Sequence, residues 1–109
     1  MKKSYIVLFF LLVLTGCSKP IPADKVSYIG QWESEHMYLL IDADGSINYE
    51  RETLNGSSSI NASIQEFVGD DFVVGFGFLN TTFEVDVPPY EYGGNWYLQV
   101  DGEELIRTK

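Results

Sequence analysis

From residue 29 onward, apolar and polar positions alternate with a period close to two, the mark of strands that bury one face. Leu39-Leu40-Ile41 runs into Asp42-Ala43-Asp44-Gly45, after which Ile47, Tyr49 and Arg51 alternate with Ser46, Asn48, Glu50 and Glu52. This predicts a hairpin closed by an Asp-Gly turn, with one face buried and one face acidic. A second turn at Gly69-Asp70-Asp71 starts a strand with Phe72, Val74, Phe76 and Phe78 on one face. Val73, Gly75, Gly77 and Leu79 lie on the other. The alternate glycines thin that second face, which suits a tight bend or close backbone approach in a curved sheet. Asn80-Thr81 reads as a turn. Phe83, Val85 and Val87 then face in while Glu84 and Asp86 face out, Pro88-Pro89 ends the strand, and Tyr90 to Asn95 forms a loop. Trp96, Leu98 and Val100 make the next inward face, Asp101-Gly102 turns, and Glu103 to Arg107 closes the pattern.

One segment departs from the alternation. Between Ser57 and Val68, Ile60, Ile64 and Phe67 have helical spacing, with serines before them and Gly69 as a stop. This favours a short helical turn or irregular crossover, although Ile60 and Ile64 also share strand parity. The whole predicts an all-β domain at 29–109, an antiparallel meander of six to seven strands curled into a small barrel or open half-barrel. Only one cysteine is present, so no internal disulfide can form and the aromatic residues must supply much of the stability.

The N-terminal part is organised differently. Met1-Lys2-Lys3 is basic, Tyr5 to Leu14 is an unbroken apolar run of ten, and Thr15-Gly16-Cys17 ends it with small residues. A membrane-spanning helix needs about 20 apolar residues. The run is instead the length of a signal-peptide core, which predicts a helical signal peptide over 1–16. Residues 17–28 then read as a flexible tether. Pro20 and Pro22 disfavour helix there, and the eleven residues from Ser18 to Tyr28 reach at most about 35 Å.

Leu14-Thr15-Gly16-Cys17 resembles the lipobox of bacterial lipoproteins. The resemblance implies cleavage between Gly16 and Cys17, a diacylglyceryl thioether on Cys17, and acylation of the new amino group by a chain such as palmitate. Two or three acyl chains anchor effectively for good, since each buried methylene contributes about 0.8 kcal/mol. Ser18 follows the cysteine, and in such lipoproteins a serine there permits export to the outer membrane. The expected location is therefore the outer membrane, facing the periplasm.

Charge narrows the function classes. From Cys17 onward five Lys or Arg stand against sixteen Asp or Glu, a balance of −11. Such a surface repels phosphate backbones, so no nucleic-acid role is expected, and it favours a basic partner. Catalytic chemistry finds little to work with. His36 is the sole histidine, so no histidine cluster can bind metal, and Ser57-Ser58-Ser59 lacks a nucleophile elbow. Asp42-x-Asp44-Gly45 places its glycine two positions early for a calcium loop. Glu84/Asp86 and Glu50/Glu52 point to solvent on strand faces, whereas a general acid needs partial burial. The chain is read as non-enzymatic, with no cofactor and no metal.

Gly30-Gln31-Trp32 before the first strand is similar to the Gly-x-Trp start of lipocalins and related ligand-binding barrels. That resemblance implies a Trp32 that closes the barrel floor, with Arg107 as its candidate arginine partner, and a small apolar ligand as an alternative function. The wider run of Gly30-x-Trp32, Asp44-Gly45, Phe72-x-Val74-Gly75, Pro88-Pro89, Trp96 and Asp101-Gly102 resembles small Gram-negative lipoproteins of unassigned function. The preferred expectation is a binding module for an envelope protein, such as a basic cell-wall hydrolase or a toxin. Its candidate contact residues are Tyr90, Glu91 and Tyr92, with Glu84 and Asp86.

Overall fold

The computed structural model describes residues 19–76 and 78–109. The expected signal peptide over 1–16, the Gly16/Cys17 cleavage site, lipidated Cys17, Ser18 and the facing of Gly77 lie outside the described residues.

A 3-10 helix at Ala23–Tyr28 leads into nine strands among the described residues. They are β1 Gly30–Glu33, β2 Met37–Ile41, β3 Ser46–Thr53, β4 Gly56–Val68, β5 Asp71–Phe76, β6 Leu79–Phe83, β7 Val85–Tyr92, β8 Asn95–Val100 and β9 Glu103–Arg107. They form one antiparallel sheet in the order β6-β5-β4-β3-β2-β1-β9-β8-β7. Neighbours in sequence pair throughout except β6 and β7, and β9 closes onto β1 through Trp32↔Arg107 and Glu33↔Ile106. The two edge strands, β6 and β7, are joined through Glu84 alone. The sheet curls into an antiparallel half-barrel, the expected class, with nine strands where six to seven were expected.

The extra strands come from segments whose local signals mislead. The stretch expected to turn helical is the longest strand of the sheet, β4, paired with β3 from Ser46↔Ser63 to Thr53↔Gly56. Its other side pairs Ile64 with Val74 and Glu66 with Val73, so Gln65 is an extra residue in a bulge. A bulge inverts the inside–outside parity that follows it. Ile60 and Ile64 therefore face the core at even spacing, and Phe67 joins them at odd spacing. The 60-64-67 pattern is a bulged strand that imitates a helix.

Residues 90–92 are likewise strand and not loop. β7 continues through Pro88-Pro89, and its pairing with β8 slips twice, between Val85 and Val87 and between Val87 and Tyr90. Proline lacks an N–H to donate, and an edge strand with bulges has no need of it there. Val87 is 37% exposed instead of core-facing. Phe78 is 93% exposed in the β5–β6 turn, also against expectation. The turn expected at Asn80-Thr81 falls earlier, and those two residues are in β6.

The tether differs most. The 3-10 helix docks on the sheet, and Tyr28 is buried with its ring edge-on to Phe67 at 5.2 Å and Phe72 at 6.2 Å. Its hydroxyl donates to the Asp70 carbonyl at 2.8 Å. Before the helix, the Ile21 amide donates to Ala43 O at 3.0 Å and the Lys19 ammonium to the bulge carbonyl of Gln65 at 3.3 Å. Lys25 donates to Gly69 O at 2.9 Å and lies over the Tyr28 and Phe67 rings. Residues 19–28 are thus a strap fastened along the end of β4. Prolines that exclude a regular helix still permit an extended segment and a short 3-10 turn when apolar residues such as Ile21 and Tyr28 have a surface to cover.

The concave side holds a dry core of Trp32, Leu39, Ile41, Phe72, Val74, Leu98, Val100 and Leu105, all fully buried. Phe72 and Phe83 stack at 5.1 Å, and Tyr49 meets Phe83 edge-on at 5.0 Å. Each large side chain buried this way contributes about 1.5–3 kcal/mol relative to exposure.

Candidate functional site: an acidic groove and a stacked arginine

Trp32 and Arg107 meet because their strands pair. The guanidinium carbon lies 4.8 Å from the Trp32 ring centre and 5.1 Å from that of Trp96, so Arg107 is held between two indoles. Arg107 Nη2 donates to Ser27 O at 2.6 Å, and Trp32 Nε1 donates to Tyr28 O at 2.9 Å. Burial pushes the guanidinium pKa below its ordinary value. Gly30 is required beside this contact: it has φ +147°, and a Cβ there would stand 2.9 Å from Arg107 Nε and 3.0 Å from the Lys109 carbonyl oxygen. The Gly-x-Trp spacing therefore clears a path for the arginine and places the ring beneath it. The arrangement ties the end of β9 to the strap.

The residues expected to contact a partner divide between the two ends of β7. Tyr90 stacks on Tyr97 at 5.5 Å, and its hydroxyl donates to Glu104 at 3.4 Å. Partial desolvation and the Glu104 charge raise the Tyr90 pKa. Tyr92, 75% exposed, and Glu91 complete that end of β7. Glu84 and Asp86 lie at the other end. The Glu84 amide donates to Asp101 Oδ1 at 3.0 Å, and Asp86 Oδ2 accepts from the Gly102 amide at 2.7 Å. These two positions brace the β8–β9 turn. Asp86 and Tyr90 are four residues apart, roughly 13 Å along a strand.

A different surface gathers residues that are scattered in sequence. The strand registers pair Glu33 with Tyr38, Tyr38 with Glu50, and Glu50 with Ser59, which sets the four in one row across β1 to β4. All four line an open groove of about 460 Å³ that also takes in Glu35, His36, Arg51, Glu52 and the serines at 57–58. Gln31 Nε2 at 2.8 Å and Thr108 Oγ1 at 2.7 Å both donate to Glu33 Oε2. The Thr108 bond foremost, and the Gln31 bond after it, hold the Glu33 carboxyl below its ordinary pKa. Arg51 is drawn toward Glu103 at 3.8 Å, and Glu103 also accepts from Ser34 Oγ at 2.7 Å. His36 is exposed beside Glu35 at 3.7 Å. The groove therefore presents several carboxylates, with its one arginine drawn toward Glu103.

Alternation along β3 puts Glu50 and Glu52 on a solvent face but does not join them to Glu33 or Tyr38. The serines at 57–59, in the segment expected to form a helical turn or irregular crossover, lie in the first part of β4. Only the register between strands brings these residues together, and a single chain of letters does not carry it. Among the described residues no group of His, Cys, Asp or Glu could hold a metal ion, and no helix is long and apolar enough to cross a membrane. Comparison with protein-family models, with curated proteins and with solved structures found no match to this chain.

Proposed function

We propose that this chain is a lipoprotein anchored through Cys17 in the outer membrane and facing the periplasm, where it acts as a non-catalytic binding module for a basic envelope protein. The groove carries this reading. Glutamates on β1, β3 and the β1–β2 turn converge on one open groove on the face of the sheet opposite the core, with Tyr38 among them as an aromatic contact. Carboxylates of one sign in a concavity focus the field and favour Lys- or Arg-rich partners. Tyrosine is also favoured at protein interfaces. The filled concave side of the sheet weighs against the alternative of a lipocalin-like carrier, since Trp32, Phe72, Phe83 and Leu98 occupy the space an apolar ligand would need.

Two experiments test this reading. A Cys17→Ala variant should accumulate as an uncleaved or soluble species, and membrane fractionation identical to wild type would remove the anchor. A photo-crosslinker at Tyr38 in the native envelope should capture a basic protein, with the yield falling as salt rises. Capture from Tyr92 but not from Tyr38 would move the contact surface to the end of β7.

A further inference from the structure

The strap sets how the domain would stand on a bilayer, an inference that rests on the lipid anchor proposed at Cys17. From Lys19 onward the chain is fastened to the sheet, so only Ser18 separates the lipidated residue from the first docked one. Two residue steps span at most about 7 Å. An eleven-residue tether would have let the domain tumble, whereas this one holds the strap close to the headgroups. The strap runs along the last residues of β4, with Lys19 on Gln65 and Lys25 on Gly69. Val26 and Val68 at this end are 55% and 57% exposed, and Lys25 adjoins Val26 in the chain. Asp24, Asp42, Asp44, Glu66, Asp70 and Asp71 stand at this end with Lys19 and Lys25, so it is acidic like the groove, and the short link to Cys17 rather than charge sets its place. The opposite end of β4 leads to the hairpin tip at Leu54, fully exposed and about 40 Å along the strand from Val68.

We infer that the face built by the strap and the end of β4 lies against the lipid surface, and that the acidic groove and the Leu54 tip are held away from it. With the strap within about 7 Å of the lipidated residue and the Leu54 tip about 40 Å along the strand from Val68, the strap is the part held nearest the headgroups, where exposed Val26 and Val68 suit the interfacial region.

The lipidated chain offers a direct test, because Cys17 would carry its lipid on sulfur and an introduced cysteine would be the one free thiol. Val68→Cys and Leu54→Cys are both at exposed positions, so neither disturbs the core. Each is labelled with a fluorophore and reconstituted in phosphatidylethanolamine–phosphatidylglycerol vesicles that carry a headgroup nitroxide. Quenching at position 68 should exceed that at position 54 several-fold. A Gly-Ser spacer inserted between Ser18 and Lys19 should shrink the difference. Equal quenching at the two positions, in protein whose mass confirms the lipid on Cys17, would overturn the orientation and leave the anchor standing. Protein found without lipid on Cys17 would overturn both.

Discussion

The two ends of β4 are built for opposite purposes. At its C-terminal end a bulge turns Phe67 inward, the strap covers the strand, and Tyr28, Phe67 and Phe72 pack against one another. At its N-terminal end the strand is a run of glycine and serine with exposed side chains beside the glutamates of the groove. The first end holds apolar area and shared hydrogen bonds. The second holds charge and concavity with little packing. Packing and the proposed recognition surface thereby lie apart on one strand, and substitutions at the two ends should be felt in different measurements.

The largest effect is expected from Trp32→Ala. The ring is fully buried, its N–H is bonded to Tyr28 O, and it forms one side of the Arg107 seat. Its loss should cost about 3–5 kcal/mol in denaturant unfolding, enough to unfold a domain of this size. A loss under about 1 kcal/mol would show that the strap end is not where stability resides.

Alkaline pH offers a second break. Burial first, then the charges of Asp70 and Asp71, push the Tyr28 pKa from 10.0 up to about 12. A raised pKa means the fold favours the protonated phenol. Its contribution is whole below about pH 10 and is lost as pH climbs from 10 toward 12, a loss on the order of 2–3 kcal/mol. Tyr28→Phe should flatten that part of the pH–stability curve. An unchanged curve would mean the phenol is not buried between the strap and the sheet.

Gly45→Ala probes the strap more gently. Gly45 has φ +92°, and a Cβ there would overlap the Lys19 carbonyl. The strap must lift or the turn must strain, at about 1–3 kcal/mol, and limited proteolysis should cut near residues 19–22 sooner. The smallest effect belongs to the groove. Glu50→Gln combined with Glu52→Gln removes exposed charges and should move stability by no more than about 0.5 kcal/mol, while lowering salt-sensitive capture by Tyr38. A clear stability loss would merge the two ends into one structural unit.

Much of the sheet could be read from residues alone. The Asp42–Gly45 hairpin, the inward Ile47, Phe72, Val74, Phe83, Leu98 and Val100, and the Asp101-Gly102 turn all follow from strict alternation and turn chemistry. The failures share a cause. β4 looked helical because an inserted residue shifts parity, and β7 looked broken because prolines are forbidden only where an N–H is needed. The strap looked free because nothing in its own letters shows that Ile21 and Tyr28 have an apolar surface waiting 40 residues later. Glu33, Tyr38, Glu50 and Ser59 carry no local signal that sets them in one row.

Local pattern was sufficient to determine an acidic, aromatic-rich antiparallel sheet, because side-chain alternation and turn preference are properties of neighbouring residues. Tertiary structure alone decided the docking of the strap, the seat of Arg107 between two tryptophans and the row of groove residues. Each of those depends on register and closure between strands far apart in the chain, and the free energy of such contacts resides in pairs that no local window contains.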